Sequence, residues 1–481
     1  MPPGLVKKRA CPAATTRNLL IAPGLYKNLF VAYKSAMLDR IADRLGADRT
    51  PESLARIVGS LISDGEIATG EKLPTVRTLA TALDMSPNTV TEAWRILRLH
   101  GVIETNRRQG TTVRAPRRTD GRHWQVPVEP GTIEVDLSTG TPAKELLPPL
   151  GPVLTGLHDS IPVTSYVDPP LLAPLEVELR RRWPYEVEAV TVVDGALDAL
   201  DRVVRELVRL GDRVVVEDPT FPPLLDMLEA AGAEIIGVGL DGEGIRIDAL
   251  VEALEHDPVA LFIQPRAHNP TGLHTTEARV RAVAQVLAGR RCVVVEDDHS
   301  GGAAGVAVES LGEMLPAQTI HIHSFSKSHG PDLRIAALGG PGEVIANIVR
   351  RRQLGPSWTS RLIQQLLLAL LTDPTTDRLV DAAAQDYERR RAALGDALAR
   401  HGIDVDTGVG LNIWIPVPDE QRAVVALAAH GIGVAPGGPF CVSDEVGPHI
   451  RVSIGTLRAD DIEWVAATIA DASGRLTTLR T

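Results

Sequence analysis

Short, almost wholly apolar runs separated by helical segments recur through residues 136–481, and they constrain the fold more than anything else in the chain. The clearest are Asp212 to Glu217, Val259 to Ile263, Arg291 to Glu296 and Thr319 to His323, rich in Val and Ile. Runs this short and continuous suit strands buried on both faces, and strands alternating with helices specify a largely parallel α/β sheet. Ligands of such sheets sit beyond the carboxyl ends of the strands, so residues just after each run are the first place to look for chemistry.

At 481 residues the chain should hold two or three domains. Its formal net charge of −11 is unevenly spread. Residues 1–47 carry 8 basic and 2 acidic side chains, residues 48–118 carry 11 and 8, and residues 119–481 carry 31 and 51. A basic front joined to an acidic body implies an anionic partner for the front. Cys11, Cys292 and Cys441 lie far apart, which excludes a disulfide framework and a zinc finger, predicts no metal site and fits a reducing, cytoplasmic setting. No run of about 18 apolar residues is present, so no membrane-spanning helix is expected. Residues 1–47 read as a basic arm or as the product of an early start codon, with Met37 as the alternative start.

Within residues 48–115, Leu54, Ile57, Val58, Leu61 and Ile62 mark one amphipathic helix. Thr75 can cap a second helix with Val76, Leu79, Ala80 and Leu83 inward, and Ser86 a third that begins at Pro87. The third helix buries Val90, Ala93, Trp94 and Leu97 and turns Asn88, Thr89, Glu92, Arg95 and Arg98 outward. A predicted hairpin follows, with Arg107 and Arg108 at its tip and Thr111 on its return strand. Two short helices, a tight turn and a hairpin make a small α+β winged helix-turn-helix, with charge placed to meet phosphates and polar residues placed to reach base edges.

Gly70 to Arg77, Ser86-Pro87-Asn88-Thr89-Val90 and Gly110-Thr111-Thr112-Val113 resemble the reader domain of the GntR regulators. The resemblance implies a double-stranded DNA operator as partner, with Thr75, Arg77, Ser86, Asn88, Thr89, Arg95, Arg107, Arg108 and Thr111 as interface residues. Pro87 stands where the family commonly has Arg, and Thr75 where Ser is common, which bears on affinity and site sequence. Residues 116–135, with Pro116, Gly121, Pro127, Pro130 and Gly131, read as a linker.

In residues 119–481 there are only two lysines, Lys144 and Lys327. Lys327 follows a strand in Ser324-Phe325-Ser326-Lys327-Ser328-His329-Gly330-Pro331-Asp332-Leu333-Arg334. An aldehyde cofactor needs a lysine amine, an arginine and hydroxyls for its phosphate, and a carboxylate for its pyridine nitrogen. Ser324, Ser326 and Arg334 suit the phosphate, as do the N–H groups of Gly195 and Ala196 opening a helix. Asp297 ends a strand, Asn269 sits in Asn269-Pro270-Thr271-Gly272 and can donate to a ring oxygen, and Phe221 offers a stacking face. Taken singly, each is as readily a turn, a cap or a solvated charge.

Their joint order resembles the fold-type I, class I aminotransferases over residues 136–481. The resemblance implies pyridoxal 5'-phosphate as cofactor and assigns Lys327, as catalytic residue, to the internal aldimine, Asp297 to the pyridine nitrogen and Asn269 to the ring oxygen. It implies a phosphate contact from Tyr166 across a dimer interface, and a grip of Arg451 on a substrate or effector carboxylate, against which an internal ion pair is the alternative. His299 replaces the usual Tyr after the aspartate, Leu197 a common polar residue, and Asp332 a usual Gly. Both halves together resemble the MocR-type regulators, which implies a homodimer whose body senses pyridoxal phosphate or an amine or amino-acid effector through an aldimine and alters DNA binding. The alternative is a catalytically active aminotransferase.

Overall fold

The computed structural model describes residues 37–45, 49–63, 66–68, 70–99, 103–106, 110–113, 122, 133–156 and 165–473. The chain divides into two compact units, Met1–Arg118 and Thr119–Thr481. Residues 1–36 and most of the linker lie outside the described residues.

The first unit holds α1 (residues 37–45), α2 (Pro51–Ser63), α3 (Val76–Ala82), α4 (Pro87–Leu99) and a hairpin of β1 (Ile103–Asn106) and β2 (Gly110–Val113). Thr75 Oγ1 accepts the Thr78 N–H at 3.2 Å and Ser86 Oγ the Thr89 N–H at 3.0 Å, so both sequence-predicted caps form. Leu54, Val58, Leu61, Leu79, Val90, Trp94 and Leu97 share one buried cluster. Met37, Ile41 and Leu45 join it, so α1 belongs to this domain although the sequence reading left it in the arm. Met37, Leu38, Ile41 and Leu45 make its apolar stripe among Asp39, Arg40, Asp43 and Arg44, over only nine residues, which is short for a reading by periodicity. The stretch before α3 is also more ordered than its turn-rich composition suggests: Leu73 N–H donates to Thr111 O at 2.9 Å and Val113 N–H to Glu71 O at 2.8 Å.

The second unit contains β3 (Val135–Asp136), β4 (Ala189–Val193), β5 (Arg213–Asp218), β6 (Glu234–Asp241), β7 (Gly244–Ile245), β8 (Ala260–Ile263), β9 (Val293–Asp298), β10 (Thr319–Ser324), β11 (Ala336–Gly340), β12 (Asn412–Pro416), β13 (Ile432–Gly433), β14 (Ala435–Pro436) and β15 (His449–Ser453). Eight of them form one sheet in the order β4-β11-β10-β9-β8-β5-β6-β7. The run β10-β9-β8-β5-β6 is parallel, as the apolar runs predict. Its strands pair Val214, Val216, Phe262 and Val295 with helix residues Leu200, Val204 and Leu225 in one core. A smaller antiparallel sheet, β12-β15-β14, packs with the helix Pro374–Arg400 around a second core. That sheet went unread in the sequence. Among the described residues, no helix is long and apolar enough to cross a membrane.

Candidate cofactor site and DNA interface

Strand register explains why residues far apart in sequence converge. Ser324 pairs with Ala336, and Ala336 with Val193, so the ends of β4 and β10 and the start of β11 lie side by side. The residues just beyond those ends, Gly195, Ser326 and Arg334, therefore gather at one rim. Gly195 precedes the helix Ala196–Leu207 with φ +102° and no side-chain cap. A Cβ built there would lie 3.1 Å from Arg334 Nη2, so the missing side chain leaves a cradle between helix end and guanidinium. Arg334 Nη2 itself donates to Asp194 O at 3.3 Å. Ser324 is buried and accepts the Ser326 N–H at 3.3 Å. Leu197 and Asp332 are both exposed.

Asp297 is one residue from the end of β9 and pairs in register with Ile322. Its Oδ1 is buried without a hydrogen-bond partner. Burial raises its carboxyl to about 7, with the neighbouring Asp298 and Glu217 charges adding to the rise. A buried acid with no donor is costly, and a protonated pyridine nitrogen is the kind of group that would satisfy it. Asp298 differs sharply although it is adjacent. Burial works against its charge, but Arg266 binds it bidentately at 2.8 and 2.7 Å and holds it well below the usual carboxylate range.

Lys327 Nζ donates to Gly140 O at 2.5 Å. Burial, and then the positive charge of Arg451, lower its amine to about 8, which leaves a sizeable neutral, nucleophilic fraction near neutral pH. Burial, followed by the Lys327 charge, lowers His299 to about 4, so this imidazole is neutral beside the lysine. Arg451 on β15 is 3% exposed and has no ion-pair partner among the described residues. Its Nη1 donates to Asn269 Oδ1 at 3.1 Å, another N–H reaches Ser138 O, and Nε has no partner. The internal ion pair offered as an alternative for Arg451 is therefore not formed within the described chain. Asn269 is fixed in turn by Gln264 Oε1, which accepts its backbone N–H at 2.7 Å. In that same turn Gly272 has φ +74° and lies so close to Asn412 O that a Cβ would come within 2.8 Å.

Phe221 is half-buried, precedes the helix Pro222–Ala231 and leans on the core of the large sheet. Tyr166 stands apart: it is 91% exposed, with its ring 5.9 Å from Trp358. Sequence reasoning missed Arg352, which donates to Val192 O at 2.6 Å and to Asp194 Oδ2 at 3.0 Å and so braces the turn before Gly195. It lies in a run of three arginines ending a helix, and nothing in that run marks the middle of a network. It also missed Gly140, whose carbonyl holds the lysine amine.

In the first unit Arg77 and Asn88 are exposed, as an interface requires. Thr75 and Ser86 serve as caps, and Ser86 Oγ also lies 2.8 Å from Thr89 Oγ1. Arg95 is engaged by Glu92 through bonds of 2.7 to 2.9 Å. Thr111 Oγ1 lies 3.1 Å from Thr105 Oγ1. Arg107 and Arg108 lie outside the described residues.

Fold and site together define a reader domain joined to a body of the pyridoxal-phosphate aminotransferase kind. Residues 132–469 match the profile of aminotransferase class I and II, and residues 41–113 that of bacterial regulatory proteins of the gntR family. The vitamin B6 salvage pathway transcriptional repressor PtsJ of Salmonella typhimurium is 32% identical over 422 residues, covering 85% of this chain and 95% of that protein. The pyridoxine biosynthesis transcriptional regulator PdxR of Corynebacterium glutamicum is 25% identical, covering 88% and 95%. Among solved structures, kynurenine aminotransferase of Pyrococcus horikoshii superposes with a TM-score of 0.67 at 21% identity over 73% of this chain and 93% of its own. The α-aminoadipate aminotransferase LysN of Thermus thermophilus, solved with N-(5'-phosphopyridoxyl)-L-leucine, gives 0.66 at 24% identity over 73% and 94%. The chain belongs to the MocR-type transcriptional regulators, GntR-family readers fused to a class I aminotransferase-like body.

Proposed function

We propose that this regulator holds pyridoxal phosphate in its body and changes its grip on an operator when the cofactor, or an amine or amino acid reacting with it, occupies the site. The observation that carries the reading is the buried, unpartnered Asp297 Oδ1 in the same site as a lysine whose amine is lowered to about 8. Bound there, the cofactor would supply an aldehyde for the lysine and an electron-withdrawing ring. Lys327 presents the amine, Asp297 holds the ring nitrogen's proton, and Asn269 donates to the ring oxygen beside a neutral His299. Ser324, Ser326, Arg334 and the free N–H groups at Gly195 and Ala196 bind the phosphate, with Phe221 against the ring. Arg451 offers its guanidinium to a carboxylate, exchanging its bonds to Asn269 and Ser138 for a bidentate pair.

The exposure of Tyr166, Val167 and Leu354, each about nine-tenths open, supports a homodimer in which Tyr166 reaches the partner's phosphate. Two readers would then meet two half-sites of double-stranded DNA in a cytoplasmic setting, with Arg77, Asn88, Thr89, Arg95 and the wing arginines against it. Arg451, without an internal carboxylate, also favours a second reading as an active aminotransferase. An absorbance titration with pyridoxal phosphate and candidate amines, run with DNA-binding assays on the adjoining promoter, decides between them. Cofactor capture with altered DNA affinity and no keto-acid release supports the regulator; keto-acid turnover with indifferent DNA binding supports the enzyme. A chain that captures no cofactor refutes both.

A further inference from the structure

Strand register lines up two carboxylates and two imidazoles inside the large sheet. Glu296 pairs with His321 and Asp298 with His323 across β9 and β10. Alternation along β9 turns Glu296 and Asp298 to the face opposite Asp297, so this cluster stands apart from the cofactor site. Glu296, Asp298 and His321 are fully buried. Ser310 Oγ donates to Glu296 Oε2 at 2.7 Å and the Leu311 N–H to Oε1 at 2.7 Å, which holds the carboxylate in place. His321 Nδ1 lies 2.8 Å from Glu296 Oε2. A carboxylate only accepts, so the ring gives it the Nδ1 proton and in its neutral form keeps its lone pair at Nε2. That Nε2 is buried and has no partner. It lies 3.9 Å from Asp298 Oδ2, too far for a hydrogen bond but a suitable spacing for two ligands that each approach one ion to about 2.0–2.2 Å. His323 Nδ1 is 2.8 Å from the same oxygen, and the three ligand atoms fall within 4.8 Å of one another. Arg266 and the Gly301 N–H, at 3.2 Å, fix the orientation of Asp298. Two buried carboxylates thus share one guanidinium, which leaves a negative charge for a further cation to balance.

We propose that Asp298, His321 and His323 bind a divalent late transition ion of the zinc kind, with Glu296 and Arg266 orienting two of the ligands from behind. An imidazole that gives its other N–H to a carboxylate is the arrangement that aims a metal-binding nitrogen. Two nitrogens and one oxygen, with a fourth position for water, suit zinc and disfavour magnesium and calcium, which take shells of oxygen. On binding, His323 Nδ1 exchanges its bond to Asp298 for one to the ion and releases any proton it carries there. The His323 side chain is 27% exposed, which gives an ion its way in. The ion ties β9 to β10 one residue before β10 ends at Ser324, and so anchors the strand from which the Lys327 segment departs. The expectation of no metal site rests on the spread of the cysteines. A His-Ile-His run reads as strand until the neighbouring strand supplies its carboxylates.

Equilibrium dialysis of the full-length protein against zinc, with cobalt as a visible reporter, tests the site. The wild type is expected to retain about one equivalent of zinc and to give the d–d bands of four-coordinate cobalt. His321→Gln and His323→Gln should each remove those bands and lower zinc affinity by more than about a hundred-fold, and Glu296→Gln, which touches no ion, by about ten- to a hundred-fold. Zinc should also raise the melting temperature of the wild type and leave that of His323→Gln unchanged. Where a variant at a buried position fails to fold, His323→Gln, at the part-exposed ligand, decides by itself. A wild type that retains no zinc overturns the proposal. Zinc held equally by wild type and His323→Gln overturns it too, as an adventitious ion only. Cofactor capture is read by its own absorbance, so either result leaves the functional reading to its own test.

Discussion

Both units present helix N-termini in positions suited to anions, and they treat them in opposite ways. In the reader, Thr75 and Ser86 spend their hydroxyls closing the first turns of α3 and α4, and Arg77 and Asn88 stand exposed beyond those caps. In the body, the helix after Gly195 has no side-chain cap, and a glycine holds space open beside Arg334. The contrast teaches that a surface read by many side chains can satisfy its own backbone first. A cradle for a single phosphate has to leave its N–H donors free and let the ligand complete them.

The comparison breaks most severely at Lys327. Lys327→Ala is expected to abolish the aldimine absorbance and the cofactor's effect on DNA, with circular dichroism and oligomeric state unchanged; an aldimine band that persists would refute the assignment. Gly195→Ala sharpens the cradle argument, because a φ of +102° strains any residue with a Cβ and that Cβ would press on Arg334 at 3.1 Å. Cofactor affinity should fall roughly ten- to a hundred-fold, measured by titration, while the reader's basal DNA affinity holds. Next comes pH. Since the lysine amine lies at about 8 and only its neutral form attacks, the rate of cofactor capture should rise nearly ten-fold per pH unit below that value and level off above it. A rate that falls as pH rises from neutral would contradict the burial of Lys327. The smallest effect belongs to the reader: Ser86→Ala should lower its stability by about 1 kcal/mol, seen as an earlier melting transition for that unit alone, with cofactor absorbance untouched.

What the sequence made visible follows the physics of range. The parallel strands, and the chemistry at their ends, announce themselves because a fully buried strand is a local apolar run and its functional residue comes next in the chain. Asp297 after Val293 to Glu296 and Ser324 after Thr319 to His323 are of this kind. The caps at Thr75 and Ser86 were equally local. The antiparallel sheet with Arg451 was legible only at that arginine, since its strand β14 has only two residues. Arg352 left no signal, because an arginine in a run of three looks the same whether it is solvated or bonded to a residue far away in the chain. The helix of residues 37–45 lay hidden for a different reason, its apolar stripe spanning only nine residues.

The body holds 31 basic side chains, of which only Lys144 and Lys327 are lysines. Free aldehydes of the vitamer kind condense with any accessible amine, so a lysine-rich sensor would carry a background of adducts that report nothing. With every other cation an arginine, which forms no such adduct, the body offers one exposed competitor at Lys144, and a single stain by borohydride reduction and mass mapping would read its occupancy almost free of noise.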